Sequence, residues 1–268
     1  MARNPNSADF GVNNRSFSTR VGDHLSPRGI QMGLFPIPNA DHWFDMSDFT
    51  GKALDTTNAW SVGKDANATN FVKSTGSSGR IAGTAGNTNG EGIALYRVAE
   101  YYGDNNVGME VRMQLSYVTN AQVEIGFFDV RTNAYDPCVT DIDTPTIANG
   151  AVDTAALAWD TAQTLTKFAL VTKGSTPYTA TTTTLKDGGG ATANFAPTAS
   201  TFYRYRVQLI GDNVYSAIYS SAGGLLAFGS KSLGVEGGTA LLPVVMVSRV
   251  STSDIVATVD YVALWGDR

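Results

Sequence analysis

From Val107 to Tyr117, apolar and polar side chains alternate without a break. Val107, Met109, Val111, Met113, Leu115 and Tyr117 interleave with Gly108, Glu110, Arg112, Gln114 and Ser116. A period of two sends successive side chains to opposite faces, so this segment is a strand with one dry and one wet side. Thr119-Asn120 interrupts it, and Val123, Ile125 and Phe127 resume the pattern against Glu124 and Gly126. The two segments read as an antiparallel hairpin, with Glu110 and Glu124 on one polar side. Strands with one buried face are the building units of a β-sandwich.

Similar segments recur along the chain. Thr57 to Val62, Asn70 to Val72, Arg80 to Thr84 and Gly92 to Val98 are short strand candidates, separated by Gly-, Asn- and Ser-rich breaks. Leu165 to Val171 reads as a strand, Thr179 to Thr184 as a loose extended excursion, and Val152 to Ala162 has room for one short helix. Tyr203 to Leu209 alternates again, and Gly211-Asp212-Asn213 turns the chain into Val214 to Tyr219. Ser220 to Gly224 turns it into Leu225 to Phe228, and Pro243 to Val250 and Ile255 to Trp265 complete the set. Strands at intervals of about ten residues predict a sandwich or barrel. No fixed-period repeat is visible, which argues against propellers and solenoids.

Residues 1–40 follow neither period. They hold Pro5, Pro27, Pro36 and Pro38, and Arg3, Arg15, Arg20 and Arg28 against Asp9 and Asp23 leave the stretch at +2. Phe10, Phe17, Ile30, Met32, Leu34, Phe35 and Ile37 make it too apolar for a free tail. It reads as an extended arm that orders on a surface, either its own domain or a neighbouring chain. Phe10, Arg15, Phe17, Arg20, Leu34 and Phe35 are its candidate partner-binding residues, because aromatic and arginine side chains dominate interface anchors. Residues 41–268 form the predicted sandwich domain.

Composition narrows the options. The 268-residue chain is 43% hydrophobic and only 16% charged, with a formal net charge of −5. That charge balance argues against a nucleic-acid partner, and no apolar run reaches the length of a membrane-spanning helix. The N-terminal residues lack the apolar core of a secretory signal. Cys138 is the only cysteine, so no internal disulfide or cysteine-based zinc site is expected, and a buried inert thiol is the simplest reading.

Candidate chemistry is sparse. His24 and His42 have no G-x-S-x-G serine to serve, and Gly224 to Ser232 misses a phosphate-binding loop because Ser230 stands where lysine should. Glu110 and Glu124 have the residue types of a glycosidase pair, but Arg112 on the same face makes them ordinary wet-face charges. Gly103 to Asn106 and Asp141-Ile142-Asp143 offer oxygen ligands without the spacing of a calcium loop. Tyr101-Tyr102, Trp159, and Tyr215 with Tyr219 are candidate sugar-stacking or partner-anchoring aromatics, although strand 214–219 is apolar on both sides and reads as covered. No catalytic, cofactor or metal residue is assigned.

Taken in order, Trp60, Val107 to Leu115, Val123 to Asp129, Tyr203-Arg-Tyr-Arg-Val207 and Val259-Asp260-Tyr-Val-Ala-Leu-Trp265 resemble a concanavalin A-like jelly roll of lectin and glucanase type. They also look like such domains in tailed-bacteriophage capsid decoration and fibre proteins. The resemblance covers roughly residues 41–268 and implies an all-β, two-sheet antiparallel sandwich. Glu124-Ile-Gly-Phe-Phe-Asp129 departs from the E-x-D-x-x-E strand of the glucanases, and the lectin metal loops are not matched. The expected function is therefore a non-enzymatic virion structural protein at the capsid surface. It would cement the particle through its arm and sandwich, with the major capsid protein or other virion subunits as partners and with homo-oligomerisation. The alternative is a carbohydrate-binding module, and a glycoside hydrolase comes third.

Overall fold

In the computed structural model the described residues are 42–50, 54–56, 59–74, 79–86, 90–133, 135–250 and 254–267, His42 by its backbone only. The arm residues Phe10, Arg15, Phe17, Arg20, Leu34 and Phe35, together with His24, lie outside them. The described chain is two antiparallel sheets packed face to face. The first runs in the order β15 (Leu225–Lys231), β14 (Asn213–Ser220), β13 (Tyr203–Ile210), β6 (Gly108–Leu115), β17 (Ile255–Asp267), β4 (Ile81–Ala85), β3 (Thr69–Lys73). An eighth strand, β1 (His42–Ser47), pairs with the C-terminal half of β17, setting Phe44 opposite Trp265. The second sheet runs β12 (Thr181–Thr184), β11 (Ala169–Lys173), β10 (Thr154–Asp160), β7 (Ala121–Phe128), β16 (Leu242–Arg249), β5 (Gly92–Tyr96), β2 (Ser61–Lys64). The short strands β8 (Val139–Asp141) and β9 (Thr146–Ile147) form a small separate hairpin.

Alternation does what the sequence says it should: Val111, Met113, Ile125, Phe127, Val207 and Val259 are all fully buried between the sheets. An aromatic row of Trp159, Phe168 and Tyr205 crosses the same space, with ring centroids 5.7 Å and 5.1 Å apart. This continuous apolar layer supplies most of the drive to fold.

The partner of β6 differs from the expectation. β6 pairs with β13 and β17, whereas β7 pairs with β10 and β16 in the opposite sheet. The two segments form an arch across the core, not a hairpin. Alternation records only which side of a strand is dry, and both halves of an arch turn their dry side to the same core. Asn120 makes the turn with φ of 63°, a left-handed value that asparagine tolerates.

Two further readings change. Residues 154–160 are strand β10, not helix, and all seven are buried. Their inner side packs in the core, and their outer side lies under the segment around β8 and β9, where Cys138, Val139, Ile142 and Ala151 cover Phe128, Ala156 and Ala158. Thr181–Thr184, read as a loose excursion, is an edge strand paired to β11.

Gly126 in the middle of β7 has no room for a side chain. A Cβ there would sit 2.1 Å from the carbonyl oxygen of Ala155 and 2.6 Å from the Cα of Ala156. Backbone cannot swing aside as a side chain can, so Gly126→Ala should force β7 and β10 apart and cost about 1–3 kcal/mol. Urea unfolding checks this, and an unchanged midpoint would contradict the strand spacing.

Candidate functional site

The outer face of the first sheet carries a cluster of buried polar and charged side chains. β13 directs Arg204, Arg206 and Gln208 outward, and register places Arg206 beside Glu110 of β6, Arg204 beside Tyr219 and Gln208 beside Tyr215 of β14. Arg206 grips Glu110 with two nitrogens, Nε at 2.9 Å and Nη2 at 2.6 Å from Oε2. The Tyr261 hydroxyl donates to Oε1 at 2.6 Å. Arg204 Nη1 stands 3.8 Å from the same carboxylate, and both guanidiniums lie over the Tyr219 ring. Such contacts between cations and aromatic faces are favourable where water is excluded.

Glu110 and Arg204 are fully buried, and Arg206 is 2% exposed. Burial alone would push the Glu110 carboxyl up, but Arg206, Arg204 and the Tyr261 hydrogen bond together hold it below the usual range. Among the described residues, the Glu110 carboxylate thus faces two guanidiniums. Arg204 is the less compensated, with no hydrogen-bond partner at Nε or Nη1, and burial pulls its guanidinium below the usual value.

Towards the sheet edge this face opens into a cavity of about 360 Å³, lined by Arg206, Gln208, Tyr215, Tyr219, Phe228 and Ser230 among others. Tyr215 and Phe228 are each 39% exposed and Leu225 is 38% exposed. Gln208 lines the cavity while its Oε1, buried, has no hydrogen-bond partner. The expectation that strand 214–219 is covered on both sides therefore fails at its outer margin. β15 is the edge strand, and its Phe228 walls a cleft without closing it.

Glu124 sits on the other side of the molecule. Its carboxylate meets Arg131 Nη1 at 3.0 Å and accepts the Val139 backbone N–H at 2.7 Å. Burial pushes this carboxyl up, outweighing Arg131 and the two backbone donors from Val139 and Cys138. Glu110 and Glu124 thus point away from each other on the outer faces of opposite sheets, contrary to the shared polar side read from sequence. Face-to-face sheets are about 10 Å apart, so outward-pointing groups exceed the roughly 5–9.5 Å over which glycosidase carboxylates cooperate.

The other candidates fall in ordinary settings. Tyr101 and Trp159 are buried core residues rather than exposed platforms, and Tyr102 is exposed. Asp141 caps the Thr144 N–H, and Asp143 accepts the Thr164 and Leu165 N–H groups. No cluster of three or more potential metal-ligating side chains occurs among the described residues. Cys138 is buried, and its thiol is pushed up to about 12 by burial and by Glu124. Residues 220–231 are a turn followed by strand β15, so Gly224 to Ser232 is hairpin geometry.

Arg206, Gln208 and Phe228 escaped notice in the sequence. A signal was present, since the tight Gly211-Asp212 turn pairs Ile210 with Asn213 and so brings Gln208 beside Tyr215.

No protein-family model and no curated protein sequence matches the chain. Solved structures do. Lectin II from Ulex europaeus is 7% identical with a TM-score of 0.53, over 85% of this chain and all of its own. The fold is a lectin-like jelly roll. The CBM2 module of the evolved Dit of Lactobacillus casei BL23 phage J-1 is 11% identical with a TM-score of 0.52, over 85% of this chain and 96% of the module. A protein of unknown function from Shewanella oneidensis MR-1 is 14% identical with a TM-score of 0.56, covering 90% of this chain and 94% of its own. Structural neighbours thus include lectins and carbohydrate-binding modules, with a phage module among them.

Proposed function

We propose that this chain is a carbohydrate-binding module without catalytic activity, and that it binds glycan in the cleft at Tyr215, Tyr219 and Phe228. The observation that carries this reading is the cleft itself, which joins exposed aromatic faces to a polar rim. A sugar ring offers C–H groups on its faces and hydroxyls at its edge. Aromatic side chains suit the first, and Gln208 and Ser230 suit the second. The unpartnered Gln208 Oε1 would accept a sugar hydroxyl. A volume of about 360 Å³ lies at the small end of the roughly 300–1,000 Å³ typical of ligand sites. The lectin and carbohydrate-binding neighbours support the same reading.

An immobilised-glycan screen with the full chain, followed by calorimetry on the best ligand, tests this. Tyr215→Ala and Phe228→Ala should each weaken binding about tenfold, or about 1.4 kcal/mol. Their thermal midpoints should barely move, because exposed positions seldom affect stability by more than about 0.5 kcal/mol. Unchanged affinity in both variants would place the sugar elsewhere, and a screen without any binder would remove the reading.

The capsid-cement role expected from sequence remains a second proposal, favoured by the fold shared with a phage module. In it the chain sits on a tailed-phage virion, contacts the major capsid protein and assembles with copies of itself. Mass spectrometry of purified particles tests it: a stoichiometric presence on capsids supports cementing, and absence from particles removes it.

A further inference from the structure

The two ends of the cleft differ in chemistry. Register sets three rows of outward side chains across β13, β14 and β15. Gln208, Tyr215 and Ser230 form the first row, Arg206, Ala217 and Phe228 the second, and Arg204, Tyr219 and Leu225 the third. The cleft exists because the smallest of these side chains stands in the middle. Ala217 is its floor, with Tyr215 and Tyr219 on either side along the strand and Phe228 across from it on the edge strand. The polar end is the first row, where Gln208 Oε1 is buried without a hydrogen-bond partner and Ser230 is exposed. From Ala217 to the third row the walls are aliphatic and aromatic, made by Ala217, Leu225, Phe228 and the ring of Tyr219. Outward neighbours along one strand are about 6.7 Å apart, so one sugar ring meets both ends.

We infer that the glycan bound here ends in a 6-deoxyhexose, with its C5 methyl group on Ala217 between Tyr219, Leu225 and Phe228, and with a ring hydroxyl on Gln208 Oε1. The inference rests on the glycan reading and names the sugar within it. An ordinary hexose carries a hydroxymethyl group at C5. At the apolar end its hydroxyl would leave water for aliphatic and aromatic surface, and a polar group moved there without a partner loses the hydrogen bonds that water gave it. A methyl group in its place loses none and buries apolar area. In a pyranose the C5 substituent and the C2 and C3 hydroxyls project from opposite sides of the ring. A methyl group on Ala217 therefore turns hydroxyls towards Gln208 and Ser230. An acetamido sugar also offers a methyl group, but its amide N–H and carbonyl need partners of their own. The deoxy sugar matches one polar end and one apolar end.

Affinities of the full chain for sugar pairs that differ only at C6 test it. Methyl glycosides of L-fucose and L-galactose, of L-rhamnose and L-mannose, and of D-fucose and D-galactose are titrated and followed by NMR. The expected result is that in at least one pair the deoxy member binds about ten- to a hundredfold tighter, the scale on which an apolar pocket rejects an added hydroxyl. Ala217→Ser, which adds a hydroxyl to the floor with little change in volume, should reduce that preference several-fold. Equal affinities within every pair, a preference for the hexose, or tighter binding of methyl N-acetylglucosaminide than of any deoxy sugar would overturn the deoxy assignment and leave the glycan reading standing. Failure of all three deoxy sugars to bind would do the same, whereas a glycan screen with no binder at all would remove both. A preference that Ala217→Ser leaves unchanged would place the methyl group away from Ala217 and overturn its seating.

Discussion

Glu110→Gln should destabilise the protein by about 3–5 kcal/mol at neutral pH. The substitution keeps the shape of the side chain and removes the buried negative charge that Arg204 and Arg206 both meet. Breaking a buried ion pair from one side costs this much because the remaining charge stays out of water uncompensated. Against a total stability of about 5–15 kcal/mol, the loss brings the fold close to its limit. Urea unfolding followed by far-UV circular dichroism reads it, and a loss below about 1 kcal/mol would mean that water reaches the cluster.

The pH dependence of that effect has a definite sign. The Glu110 carboxyl lies below its usual range in the folded protein, so its contribution is present above the unfolded value of about 4.3 and is lost as pH falls through the folded value. Glu124 is shifted upward, so its charge is a burden that grows as pH rises from the unfolded value through the folded one. Removing Glu110 should therefore flatten the acid-side loss of stability, leaving a variant whose remaining slope below about pH 4 is shallower than the wild type's.

Val111→Asp, one residue along the same strand, should unfold the domain outright. Val111 is fully buried between the sheets, in a cluster of apolar side chains where a carboxylate would lose its water. An unpaired charge there is among the few single changes with so severe a cost. The expected result is a random-coil circular dichroism spectrum at room temperature, and a folded spectrum with a native melting point would show that the faces of β6 are reversed.

These neighbours show what alternation conveys. The dryness of Val111, Ile125 and Val207 follows from period two, and with it the sandwich. The burial of Glu110 does not, because period two marks it only as facing away from the core. Its burial depends on Arg204, Arg206 and Tyr261, brought beside it by the distant strands β13 and β17, which local pattern cannot register. Pairing was hidden for a similar reason: β6 and β7 are adjacent in sequence but belong to different sheets, and only contacts with the distant β13, β16 and β17 distinguish an arch from a hairpin. The Ala-rich stretch 154–160 looked helical because propensity is a local average, and burial on both sides of a sheet overrode it. Of the cleft, Tyr215 and Tyr219 were visible as aromatics. Their openness to solvent was not, because it arises where β15 ends the sheet.

Glycan binding in the cleft is tested most sharply by a crystal structure of the full chain with the best ligand from the screen. A sugar ring should lie against Tyr215, Tyr219 and Phe228, with a hydroxyl donating to Gln208 Oε1. A sugar bound on the second sheet, or at any site that leaves this cleft empty, would contradict the assignment.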